Sequence, residues 1–128
     1  MKNVRLPLLA LSLIAGALVA GIVPAAAHHS YSMFDMNKEV VLDATVTRFK
    51  WQNPHAFIEA DVAVRGQTEH WAIEMTSPNN LVQAGWKRTS LKPGDRVKIH
   101  VHPLRNGSRG GSYAGIVLAD GSKLGEVD

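Results

Sequence analysis

Histidine is the residue whose number and placement in this chain point most directly to chemistry. The sequence has six histidines and no cysteine, and His28 and His29 directly follow an alanine run that ends at Ala27. If processing after Ala27 makes His28 the first residue, its free amine and its imidazole could chelate Cu(II), a metal suited to planar nitrogen ligands. The third nitrogen of such a histidine brace would come from His55, His100 or His102.

Processing after Ala26 would give a different copper arrangement. A histidine would then stand third from a free amine, so that the amine, two amide nitrogens and an imidazole could surround Cu(II) in a square plane. Met33 and Met36 follow closely and could serve Cu(I), which prefers soft sulfur ligands. The alternative is a polar processed end whose histidines bind no specific metal. Copper is therefore the cofactor that the sequence indicates, if it indicates any.

The other histidines lie in strand-like and turn-like segments. His100 and His102 are two apart, so on a strand they share one face with Lys98, which is typical either of a pair of metal ligands or of a solvated surface. The lysine argues against a tight cation site on that face. His55 ends the turn-like sequence Gln52-Asn53-Pro54-His55, where it is either a ligand at the rim of the sheet or a hydrogen-bonded turn residue.

Two further groups could bind a non-metal ligand. Simple alternation places Phe49 and Trp51 on the outward face of the first strand, where they could stack on a ligand, unless a bulge turns them into the core. Arg105 and Arg109 lie in a glycine-rich loop and could bind an anion, although the loop lacks the end of a phosphate-binding motif. The alternative for the two aromatic residues is packing in the core, and the alternative for the arginine loop is a flexible hairpin connection.

Neither catalysis nor nucleic-acid binding is indicated. The chain has no Gly-x-Ser-x-Gly, no His-Glu-x-x-His and no cysteine nucleophile, so an enzyme is not favoured. Of the 14 basic residues, Lys2 and Arg5 lie in the first segment, which leaves 12 against 11 acidic residues for the remainder. A nucleic-acid-binding domain would carry a basic excess. The expected partner is therefore an unknown small ligand or protein.

Residues 1–27 have the pattern of a cleaved signal peptide. A basic start precedes an uncharged apolar run, and Ala25-Ala26-Ala27 gives the small residues typical of a cleavage site. An uncleaved membrane anchor is the alternative, because the apolar run is close to the minimum for a span. We expect general secretory export to the periplasm or beyond, with membrane contact only through the leader before cleavage.

The remainder predicts one all-β domain with little helix. Residues 28–38 read as an extended N-terminal arm and residues 39–128 as the domain. Apolar residues alternate through three strands, and a short helix capped by Ser77 with Pro78 at its first position is expected before two more strands. The last of these strands is expected from Tyr113 to Ala119. This order predicts a five-stranded OB-like barrel; an open sandwich-like sheet is the alternative. Trp71 is the expected aromatic core residue, and Leu81 and Val82 are expected to plug one end.

The mature sequence resembles a family of small exported bacterial proteins of unknown function. The matching residues are His28-His29-Ser30, Asn53-Pro54-His55, Trp71 with Glu74, Leu81 with Gly85, Pro93-Gly94-Asp95, and His102-Pro103-Leu104 before Gly107. The resemblance implies an exported single domain and no characterised activity. Together these observations predict a non-catalytic binding module of unknown ligand, with a copper-binding or copper-handling protein as the alternative.

Overall fold

Within residues 31–125, the fold consists of six strands and a short helix. The computed structural model describes residues 31–125, so the predicted leader, His28 and His29 lie outside the described residues. The strands are β1 (Val40–Lys50), β2 (Phe57–Val64), β3 (Gln67–Glu74), β4 (Arg96–Pro103), β5 (Gly110–Val117) and β6 (Lys123–Gly125), and the helix α1 (Pro78–Gln83) lies between β3 and β4.

The first five strands close into a barrel. Strand β1 pairs antiparallel with both β2 and β4, β2 pairs with β3, and β4 pairs with β5. A short parallel pairing of β3 with β5, from Ala72 opposite Gly110 to Glu74 opposite Ser112, completes the ring. This strand order, with α1 between β3 and β4, is that of an OB-fold. The predicted OB-like barrel is therefore confirmed, and the short β6 adds to the free part of β5.

The core follows the predicted alternation. Leu42, Ala44 and Val46 of β1 are buried, as are the central isoleucines of the other barrel strands. The aromatic core residue is Trp86, only 2% exposed, whereas Trp71, the expected one, is half-buried and packs against the edge of the core. Trp71 stands in the part of β3 that lies before the short β3–β5 pairing, so the barrel covers one side of it less completely.

A β-bulge redirects the aromatic end of β1. The register of β1 against β2 shifts between Val46 and Arg48, and Phe49 then lies opposite the buried Ile58. An extra residue in one strand reverses which side chains face inward. Phe49 and Trp51 consequently pack against the core. The outward placement expected from simple alternation is therefore wrong, and the alternative of a bulge that turns them inward is confirmed.

The helix α1 has the predicted termini. Ser77 Oγ accepts the Asn80 backbone N–H at 3.3 Å, and Pro78 occupies the first turn. Gly85, with φ of 90°, ends the segment in the left-handed conformation, which glycine adopts without steric cost. Leu81 is buried as predicted, but Val82 is 59% exposed, because a helix this short presents only one side to the barrel.

Strand β5 starts three residues earlier than the alternation predicts, at Gly110 instead of Tyr113. A Cβ atom on Gly111 would lie 2.7 Å from the carbonyl oxygen of His102, and one on Gly110 would lie 3.1 Å from that of Ala72. These glycines let β5 approach β4 and β3 closely where the barrel closes. Within residues 31–125, no helix has the length and apolar character to cross a membrane.

Candidate functional site

A groove of about 930 Å³ lies where the N-terminal arm meets the barrel. The arm contributes Tyr31, Phe34 and Met36 to its lining. The barrel contributes ionisable and hydroxyl side chains, among them Glu39, His55, Glu74, His102 and Ser112. Imidazole, carboxylate, hydroxyl and thioether groups therefore line a single concave surface, and we refer to it below as the arm groove.

Strand pairing places three of these residues in one row. Glu74 of β3 lies opposite Ser112 of β5, and Ser112 lies opposite His102 of β4. Neighbouring strands are spaced by about 4.8 Å, so the Glu74 and His102 backbones lie roughly 10 Å apart across the groove. Closure of the barrel between β3 and β5 is what brings these residues, distant in sequence, to the same surface.

The arm is fastened to the barrel beside His102. Phe34 is only 4% exposed and forms an isolated β-bridge with Leu104. The Asp35 N–H donates to the Pro103 carbonyl at 2.8 Å, and the Lys38 N–H donates back to the Asp35 carbonyl at 3.0 Å. Residues 35–38 thus form a turn, which differs from the extended arm expected from the sequence, and Met36 lies within that turn.

His55 is held on the other side of the groove. Its neighbour Ala56 exchanges two backbone hydrogen bonds with the end of β3 and the residues after it, donating to Thr76 O at 3.1 Å and accepting from Met75 N at 2.9 Å. These bonds place the His55 ring beside Glu74, and Nδ1 of His55 lies 2.7 Å from Glu74 Oε1. A carboxylate accepts hydrogen bonds, so the ring presents Nδ1–H to Glu74.

His102 has an equally defined orientation. Its Nδ1 lies 2.8 Å from the Lys38 carbonyl oxygen. Because a carbonyl oxygen can only accept, Nδ1 carries the proton, and in the neutral ring the lone pair is on Nε2. Within residues 31–125, neither His55 nor His102 uses Nε2 in a hydrogen bond or ion pair. In both rings, therefore, Nδ1 is bonded to the partner named above and Nε2 is available to a ligand.

The other two described histidines, His70 and His100, do not line the groove, although Glu39, the partner of His100, does. His100 Nδ1 lies 2.6 Å from Glu39 Oε1, and its side chain is only 14% exposed. His70 pairs with Asp61 and its side chain is 82% exposed. Of the predicted metal ligands, the structure thus brings His55 and His102 to one groove and leaves His100 outside it. No group of three histidine, cysteine, aspartate or glutamate side chains suited to a metal ion occurs among residues 31–125.

The candidate residues for a non-metal ligand lie elsewhere. The rings of Phe49 and Trp51 are 5.6 Å apart in an edge-on arrangement, and Phe49 also contacts Trp86 at 5.8 Å. Both side chains are partly buried against the core. Neither aromatic residue lines the arm groove.

The two arginines have acidic neighbours. Arg109 Nε lies 3.2 Å from Glu69 Oε1, and Arg105 lies 3.9 Å from Asp35. A hydrogen bond from Trp71 Nε1, together with Arg109, holds the pKa of Glu69 below its usual value. An external anion would have to compete with these carboxylates for the guanidinium groups.

Tyr113 is a groove residue that the sequence did not single out for this role. Its hydroxyl donates to the Leu124 carbonyl, which fastens β6 to the edge of β5. Burial raises the pKa of Tyr113 well above its usual value, because the charged phenolate is disfavoured away from water. The one sequence signal for its position was strand alternation, which places Tyr113 on a partly buried face of a glycine-rich strand.

The sequence pattern of a "Family of unknown function (DUF6152)" matches residues 16–113. The chain belongs to this family. As a DUF6152 member it carries His55, His102 and the whole arm within the matched region, and the match confirms the resemblance to a family of unknown function. No curated protein matches it.

Among solved structures, the DUF6152 chain is similar to Rim1, a mitochondrial single-stranded DNA binding protein from S. cerevisiae. The two share 15% sequence identity with a TM-score of 0.49, over 64% of this chain and 94% of Rim1. The OB-fold assignment of the DUF6152 protein rests on its own strand order and closure, described above.

Proposed function

We propose that this protein is an exported, non-catalytic binding module whose ligand occupies the arm groove. The observation that carries the proposal is the convergence of two oriented histidines, His55 and His102, with aromatic and thioether side chains on one concave surface. Binding sites of this kind combine apolar surface with a few placed polar groups. Each histidine has its orientation set by an oxygen partner before any ligand arrives.

Binding is proposed in preference to catalysis because the groove lacks a paired nucleophile. Acyl transfer by serine requires the hydroxyl to be hydrogen-bonded to a base. Ser112 lines the groove, but within residues 31–125 it makes no hydrogen bond to a histidine. The Thr76 hydroxyl is occupied by the Asn80 side-chain amide at 2.9 Å. These contacts favour a surface that holds a ligand over one that transforms it.

Filling the groove should abolish binding. The protein would be isolated from the periplasm of its own host and analysed by native mass spectrometry, with release of bound material on denaturation. We expect wild type to carry an additional mass that the Ser112→Trp variant lacks, because an indole at position 112 would occupy the groove. The matched control is Ala63→Trp, on an exposed position of β2 away from the groove, and it should retain the mass. Equal occupancy of wild type and Ser112→Trp would contradict the proposal.

The same preparation tests export. We expect the mature chain to begin at His28, or at Ala27 if processing follows Ala26, because the small residues there suit signal peptidase. An intact mass that includes residues 1–27 would contradict cleavage.

A copper-binding or copper-handling role is the second candidate, and the position of the arm favours it. Tyr31, the first described residue, lines the arm groove, and only three residue steps separate it from His28. Three steps span at most roughly 10 Å, so the length of chain between His28 and Tyr31 permits an N-terminal chelate to draw on groove residues.

Cu(II) titration of the mature protein tests this second candidate. We expect a visible d–d absorption band that the His28→Ala variant loses, because that variant removes an imidazole of the N-terminal chelate. Binding no stronger than that of an unrelated histidine-containing protein would remove the candidate.

A further inference from the structure

We propose that the arm groove is a Cu(I) site whose ligands are the Nε2 atoms of His55 and His102 and the sulfur of Met36. The inference rests on the proposed role of the groove as the ligand site, and it names the chemical class of the ligand. It uses residues of the described barrel and arm, and does not require the N-terminal histidines.

The first support is the way in which the two histidines are held. Histidines that bind metals commonly donate their other ring N–H to a carboxylate or a backbone carbonyl, which fixes the tautomer and aims the ligating nitrogen. His55 has a carboxylate partner in Glu74 at 2.7 Å, and His102 has a carbonyl partner in Lys38 at 2.8 Å. Both therefore already have the outer contact of a metal ligand, with Nε2 as the donor.

The second support is the position of Met36. The turn that contains it is bonded to β4 on both sides, since Asp35 N–H donates to Pro103 O and Lys38 O accepts from His102 Nδ1. Met36 is thus fixed next to His102 in the chain path, and its side chain lines the groove while 43% exposed. Its thioether therefore lies on the same groove surface as the two imidazoles, where it is accessible to a ligand.

The ligand set selects the metal. Zinc sites of structural type use four nitrogen or thiolate ligands, and calcium sites use six or more oxygens. Here two imidazoles and one thioether line the same groove. Soft thioether sulfur selects Cu(I). The carboxylates of Glu39 and Glu74, which also line the groove, favour a cation there.

Competition with the chromogenic Cu(I) chelator bicinchoninate, under reducing and anaerobic conditions, tests the site. We expect the mature wild-type protein to withdraw Cu(I) from the chelator with one-to-one stoichiometry. His55→Ala, His102→Ala and Met36→Leu should each weaken Cu(I) binding by about tenfold or more, since each removes a ligand. Glu74→Gln should weaken it by about 10- to 100-fold, because the loss of a ligand's orienting partner has effects of that size.

Two control variants make the result specific. His70→Ala removes an exposed histidine with a carboxylate partner outside the groove, so it should leave Cu(I) affinity unchanged. The double variant His28→Ala, His29→Ala should also retain Cu(I), which separates this site from the N-terminal Cu(II) chelate. Circular dichroism of every variant would establish that the barrel remains folded.

Failure of this inference is distinguishable from failure of the proposed function. Absence of Cu(I) binding by wild type, or equal affinity in wild type and the three ligand variants, would overturn the Cu(I) site. If Ser112→Trp nevertheless lost a native ligand, the groove would remain the binding site with another occupant. If wild type and Ser112→Trp carried equal occupancy as well, both proposals would fall.

Discussion

At the scale of single residues, Tyr113 contributes both a hydrogen bond and a raised pKa to the groove. Tyr113 donates its hydroxyl hydrogen to the Leu124 carbonyl, and burial raises its pKa. The neutral phenol is the form that can donate, so the folded protein favours protonated Tyr113 more than the unfolded chain does. The stability that burial of the neutral phenol provides is fully present below the ordinary pKa of 10.0. It falls as the pH rises above that value, because the unfolded phenol then ionises while the buried phenol stays protonated.

Tyr113→Phe should lower the free energy of unfolding by about 1 kcal/mol at neutral pH, the usual net contribution of one hydrogen bond. Urea denaturation of wild type and variant between neutral and strongly alkaline pH would measure the difference. We expect the difference to shrink above pH 10.0, where the unfolded wild-type phenol ionises and so stabilises the unfolded state. A difference that stays constant with pH would contradict this account of Tyr113.

At the scale of elements, the alternation of apolar residues was sufficient to predict five strands. The helix between the third and fourth was predicted from Ser77 as its cap and Pro78 at its first position. The position of the bulge in β1 could not be predicted, because it depends on the register between β1 and β2 and not on the alternation within β1. The early start of β5 was missed for a related reason. Gly110 and Gly111 lack side chains, so they contribute nothing to the alternation of apolar residues. A Cβ atom at either position would nevertheless lie close to a backbone oxygen of a neighbouring strand.

The close pairing of β4 with β5 should depend on a glycine at position 111. Gly111→Ala would place a methyl group 2.7 Å from the His102 carbonyl oxygen, so the strands must separate. We expect a loss of about 1 to 3 kcal/mol, typical of overpacking, measured by urea denaturation. Ser112→Ala, at the next position of the same strand, is the control and should cost much less. A Gly111→Ala variant as stable as wild type would show that this pairing tolerates a side chain.

The helix α1 should depend on its N-cap. Ser77→Ala removes the acceptor of the Asn80 N–H and should cost about 1 kcal/mol in unfolding free energy. Val82→Ala, at an exposed position of the same helix, should be close to neutral in the same thermal or urea melt. Equal stability of the Ser77→Ala variant and wild type would mean that the packing of Leu81 alone maintains the helix.

At the scale of the whole molecule, the groove is a product of chain topology. The sequence identified His55, His100 and His102 as candidates, but could not tell that β3–β5 closure and the docked arm would group His55 and His102 with Met36 and exclude His100. Contacts such as His102 to Lys38 join residues 64 positions apart, and local patterns contain no information on them. Glu74 and Ser112 entered the site only through strand register.

The account depends most on His55 and His102 presenting Nε2 lone pairs into one groove. Long-range ¹H–¹⁵N spectra of the histidine rings, recorded above neutral pH before and after addition of Cu(I), measure this directly. We expect both rings to be protonated at Nδ1 in the free protein, and their Nε2 resonances to shift strongly on Cu(I) addition while those of His70 do not. Rings protonated at Nε2, or Nε2 resonances unchanged by Cu(I), would contradict the assignment.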